Sequence, residues 1–73
     1  MRSRADIEKL IAIGAKIEQL RKESKISRVQ MAFELETNEK QLRLIEKGEI
    51  NTGVLSLYKI AEILNVETKE LLP

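Results

Sequence analysis

Lys40, Arg43, Leu44 and Lys47 stand three and four residues apart, with Glu39 just before them. On a helix that spacing gathers them on one face. The chemistry available there is recognition. A guanidinium can bridge guanine O6 and N7, a carboxylate can accept from cytosine N4, and an apolar side chain can meet a thymine methyl; one helix also fits the DNA major groove. Bond-making chemistry has far less to work with. The chain has no histidine and no cysteine, which removes the commonest general base, the commonest metal ligand and any thiolate nucleophile. Its carboxylates and lysines are spread over helix faces, and there is no glycine-rich phosphate loop. An enzyme is therefore not expected, nor is a cofactor or a metal.

Composition narrows the class further. With 73 residues the chain is one domain at most. Hydrophobic residues make up 42% and charged residues 34%, a globular rather than a disordered balance. Aromatics are only 3%, so the core must be built from Leu and Ile, and single-strand binding by base stacking is disfavoured. Thirteen basic and twelve acidic residues leave a net charge of +1, so nucleic-acid binding must come from where the charges sit. No apolar run approaches the ~20 residues that cross a membrane. The stretch from Ile7 to Ile17 is broken by Glu8, Lys9 and Lys16, which is unlike a secretory signal. A cytoplasmic location is expected, with no membrane partner.

The face at residues 39–47 needs elements to hold it out. Helical periodicity runs through nearly the whole chain, and alternating strand-like runs are missing. The spacing predicts a first helix from about Ala5 to Glu23 with an apolar stripe of Leu10, Ile13, Ile17 and Leu20. Gly14 within it costs about 1 kcal/mol relative to alanine, which suggests close packing. A second helix is expected to start at Ser27, with Ser27 and Gln30 as a capping box and Met31, Ala32 and Leu35 facing inward. A third is expected to start at Asn38 as N-cap, with Gln41 again at capping-box spacing, Leu42 and Ile45 inward, and Gly48 as its left-handed stop. Asn51 or Thr52 should cap a fourth helix carrying Val54, Leu57, Ile60, Ala61 and Leu64, closed by Asn65. A last turn, Thr68 to Leu72, offers Leu71 and Leu72 to the core or to a partner. Only Glu36 and Thr37 separate the second and third helices, so the two must cross steeply, with the small Ala32 at the crossing.

The stretches IGAKIEQLRKE, ISRVQMAFELETNEKQLRLIEKG and LSLYKIAEILNVETKELL resemble, in one ungapped register, the Cro and phage-repressor-like helix-turn-helix (XRE) family. The matching positions are Ser27 at the cap, Met31 and Ala32 in the second helix, Leu35 before the turn, then Leu42, Ile45, Glu46 and Gly48. The resemblance covers roughly Gly14 to Leu72. It implies an all-α, lambda-repressor-like compact bundle of about five helices. Residues 1–13 would form an N-terminal helical extension and residues 14–73 the helix-turn-helix DNA-binding domain, with its second helix at about 27–36 and its recognition helix at about 38–47. The implied function is sequence-specific binding of double-stranded DNA by a homodimer that regulates transcription, as a repressor or autoregulator, with no small-molecule effector. Base contacts would come from Glu39, Lys40, Arg43 and Leu44. Phosphate contacts would come from Ser27, Arg28, Asn38, Gln41, Lys47 and Asn51. Arg21 and Glu46 would form a structural ion pair.

The departures from the family pattern bear on function. Arg28 stands where glutamine is usual, and Thr52 where proline is common. Glu36 replaces the turn glycine and must accept a strained backbone. Glu39 opens the recognition helix, where it either accepts from cytosine or is simply an acid at a helix N-terminus. Leu44, at a position often polar, either meets a thymine methyl or belongs to a protein interface. Arg2 and Arg4 are either a minor-groove arm or a frayed terminus. Some of Ile7, Ile11, Ile50, Leu55, Leu71 and Leu72 are expected in a homodimer interface. The alternative function is a protein-interaction module, such as an antitoxin or a regulator's partner, that keeps the fold with weak DNA binding. Near-neutral charge and the acids Glu36, Glu39 and Glu49 point that way.

Overall fold

The structure is a computed structural model and describes residues 2–73; Met1, the first residue of the expected extension, lies outside the described residues. Its elements are α1 (Arg4–Glu23), α2 (Arg28–Glu34), α3 (Glu39–Glu46), α4 (Val54–Leu64) and a closing 3-10 turn (Thr68–Leu71). That is four α-helices rather than about five, with the 3-10 turn in the last place, and no strand among the described residues.

The helix starts follow the side chains available to accept from the first free N–H groups. Ser3 accepts from the Asp6 N–H at 3.1 Å, Ser27 from Gln30 at 3.0 Å and Asn38 from Gln41 at 2.8 Å. The expected capping box at Ser27 is only half made. The Gln30 amide donates instead to Glu34 at 3.2 Å, its i+4 neighbour on the same exposed face. Nor does Asn51 or Thr52 cap α4: Gly53 takes the cap position, with no side-chain bond. A reciprocal box, not expected from the sequence, appears instead in the 3-10 turn, between Glu67 and Glu70.

All four helices end in the same way. The backbone turns left-handed at Lys25 (φ 59°), Glu36 (φ 59°), Gly48 (φ 73°) and Asn65 (φ 58°). In each case the following N–H reaches back to close the last turn: Ile26 to Arg21, Thr37 to Ala32, Glu49 to Leu44 and Val66 to Ala61, at 2.8–3.1 Å. Lys25 and Glu36 hold this conformation with a Cβ, at roughly 1–2 kcal/mol each.

Ile17, Met31, Leu42, Ile60 and Leu71 are fully buried, and Ala32, Leu35, Ile45, Leu57, Ala61 and Leu64 complete the core. Of the two places open to Leu71, core or partner, it takes the core and is unavailable to a partner, because the 3-10 turn packs against α4 and α1. Ile50 is also partly packed on the core, whereas Ile7, Ile11, Leu55 and Leu72 remain exposed. Helices α1 and α3 meet backbone to backbone. A Cβ on Gly14 would run into the carbonyl oxygens of Ile45 and Glu46, and one on Gly48 would run into the backbone of Leu10 and Ile11.

Two substitutions test this packing by urea unfolding. Gly14→Ala must push α3 away from α1 and is expected to cost about 1–3 kcal/mol or more. Glu36→Gly relieves a left-handed residue at some cost in unfolded-chain entropy, and is expected to stabilise by about 0.5–1 kcal/mol.

Candidate nucleic-acid interface

Beneath the α2–α3 pair lies a buried set of charges. Glu46, the last residue of α3, has a side chain only 1% exposed. Its carboxylate accepts from Arg21 Nε at 2.6 Å and Nη2 at 3.3 Å, and from Arg28 Nε at 2.8 Å. Arg21 also donates through Nη1 to the Ile26 carbonyl at 2.9 Å, which fastens the α1–α2 bend. Arg28 donates through Nη2 to Glu18 at 3.0 Å. Two guanidinium groups thus face two carboxylates, and three helices are joined at one point. The hydrogen bond to Glu46 holds the Arg28 pKa above its ordinary value against partial desolvation, with the charges of Glu46 and Glu18 reinforcing the shift. A raised pKa means that Arg28's contribution to stability is complete below the unfolded-state value and is lost only as pH rises through the folded one. That window is strongly alkaline, so this contribution is constant across neutral pH.

On this support α3 presents its outer face. Glu39, Lys40 and Lys47 are exposed, while Arg43 and Leu44 are half-buried. Leu44 is therefore less prominent than its helical position implied. Gln41 is exposed beside the Asn38 cap, Ser27 is exposed at the start of α2, and Asn51 is exposed in the loop after α3. Arg28 sits apart from this group in its role, since two of its nitrogens are committed to Glu46 and Glu18.

The helix-turn-helix domain model matches residues 14–73. The chain belongs to the helix-turn-helix domain family, of the Cro and phage-repressor-like (XRE) type. Several solved structures share the fold of this helix-turn-helix domain. The restriction-modification controller protein C.AhdI from Aeromonas hydrophila is 25% identical over 86% of this chain and 91% of that one, with a TM-score of 0.81. The DNA-binding domain of BldD is 24% identical over 90% of this chain and 96% of that one, also with a TM-score of 0.81. Hydroxypropylphosphonic acid epoxidase from S. wedmorenis is 20% identical, with a TM-score of 0.83, over 89% of this chain but 35% of that one. The same fold therefore also occurs as part of an enzyme. No curated protein matches the sequence. Among the described residues no helix is long and apolar enough to cross a membrane.

Sequence reasoning missed two features of this helix-turn-helix domain. Glu18 completes the charge network, but its only visible signal was an i,i+4 relation to Lys22. Val29 and Phe33, one turn apart on α2, are 63% and 77% exposed; spacing set Met31, Ala32 and Leu35 inward and left these two without a role.

Glu46→Gln leaves two guanidinium groups without their shared charge, and is expected to cost about 3–5 kcal/mol in denaturant unfolding. A combined Arg21→Met, Glu46→Leu replacement is expected to lose much less, because the buried Arg21 charge goes with its partner and the part-exposed Arg28 keeps Glu18.

Proposed function

We propose that this helix-turn-helix domain binds double-stranded DNA sequence-specifically as a homodimer and regulates transcription in the cytoplasm, as a repressor or autoregulator. One observation carries the reading: α3 is anchored at its buried end through Glu46, while Glu39 and Lys40 on its solvent side and Lys47 just past its end are exposed beside the half-buried Arg43. In this reading α3 lies in the major groove. Lys40 and Arg43 read guanine edges, Glu39 accepts from a cytosine N4 amine, and Leu44 meets a thymine methyl.

The surrounding polar groups set position on the duplex backbone. Lys47 and Asn51 follow the end of α3, and Gln41 lies in its first turn. Ser27 and Asn38 already use their oxygens as helix caps, so their phosphate contacts use the Ser27 hydroxyl proton and the Asn38 amide N–H groups. Arg28 has Nη1 left for a phosphate after its bonds to Glu46 and Glu18. A homodimer built on exposed Ile7, Ile11, Leu55 or Leu72 reads two half-sites one turn of DNA apart if it holds its two copies of α3 at about 34 Å.

A second reading, a protein-interaction module, is favoured by the exposed apolar pair Val29 and Phe33 on α2, with the acids Glu34 and Glu36 close in sequence. Selection from a randomised duplex pool at physiological salt separates the two. Enrichment of a two-fold-symmetric motif is expected. A folded Lys40→Ala, Arg43→Ala variant should then bind that motif at least tenfold more weakly, given about 1–3 kcal/mol per base contact. Undiminished binding by that variant would remove α3 as the reader. Recovery of no motif by folded protein would favour the interaction module.

A further inference from the structure

The reading above gives the first three turns of α1 no contact with DNA, and they lie before the residues matched by the family model. Ser3 caps α1 and Arg4 is its first residue, so Arg4 belongs to the helix while Arg2 lies just before the cap. A hollow is formed there, lined by Arg2, Asp6, Lys9, Leu10 and Asn51. It exists because Gly48, just past the end of α3, lies against the backbone of Leu10 and Ile11. That contact brings the loop bearing Asn51 onto the N-terminal half of α1. Asn51, on the loop that leaves the end of α3, thus shares one hollow with Lys9 and Arg2. Among the described residues neither Arg2 nor Lys9 is in an ion pair, and Asp6 is within 4.0 Å of neither charged group. Two unpaired cations and an amide outweigh the single carboxylate.

We propose that this hollow binds the phosphodiester backbone of duplex DNA flanking the base pairs read by α3, with Arg2 and Lys9 as the charged contacts and Asn51 as the shared donor. The inference rests on the DNA-binding reading, and it assigns to residues 2–10 an extension of the footprint that carries no base preference. Each phosphate neutralised by a cation releases counterions, so the contact is read in the salt dependence of binding.

The test is a salt titration of the full chain. The probe is a duplex carrying the sequence enriched in the selection, or a mixed-sequence duplex if none is enriched. Wild type is compared with Arg2→Ala, Lys9→Ala, and with Lys59→Ala, Lys69→Ala as a control of equal charge change on α4 and the 3-10 turn. The slope of log K against log salt is expected to flatten by about one to two for the Arg2, Lys9 variant, at roughly 0.9 per phosphate contact. The variant's base preference should be unchanged and the control's slope should match wild type. A wild-type slope in the Arg2, Lys9 variant, or equal flattening in the control, would overturn the proposal while leaving DNA binding intact. Failure of wild type to bind either duplex would remove the functional reading and this one with it.

Discussion

The carboxylate of Glu46 is the point on which the site depends. It is dehydrated, so it is tolerable only with cations in direct contact, and both Arg21 and Arg28 supply them. Because Glu46 ends α3, Arg21 belongs to α1 and Arg28 opens α2, satisfying one charge fixes the mutual placement of three helices. Buried ion pairs are often no better than apolar packing for net stability. What this one supplies is a register: α3 has one rotation and one depth at which Glu46 meets both guanidinium groups. The outer face that follows from that rotation is the face carrying Lys40, Arg43 and Lys47.

The pair could not form without close approach. Gly14 lets the end of α3 rest on α1 where any side chain would collide with the Ile45 and Glu46 carbonyls. The short turns complete the arrangement, since left-handed residues at Lys25, Glu36 and Gly48 reverse the chain within a few residues of each helix end. Two of those three carry strain that a glycine would avoid. The strain is local, whereas the burial of Met31, Leu35, Leu42 and Ile45 that the turns permit is shared by the whole core.

Much of this was legible in the sequence because it is written in local chemistry. Ser27, Asn38, Gly48 and Asn65 mark helix ends by what their own atoms can do, and the Leu and Ile spacing marks the inward faces. The misses are of a different kind. Gln30 had two acceptable partners and took Glu34. Leu71 was indistinguishable from Leu72 until the 3-10 turn showed which faces α4. Glu18 and Arg28 are ten residues apart, and only tertiary packing joins them. The Arg2–Asn51 hollow likewise depends on Gly48 meeting α1. The outward residues of α3 could be named from spacing alone, but their contacts with bases and phosphates belong to a complex that neither sequence nor fold contains.

Likeness to C.AhdI and to the BldD domain extends over nearly the whole of those chains, while likeness to the epoxidase extends over about a third of its chain. A shared fold therefore leaves the role of the surface to be measured. The most direct measurement is residue-by-residue NMR shift mapping of the isotope-labelled protein during titration with duplex DNA. The account predicts that the largest changes fall on Asn38 to Lys47, with Ser27 and Asn51 beside them, and that α4 stays quiet on its side away from the duplex. Changes centred on Val29 and Phe33, with α3 unmoved, would contradict it.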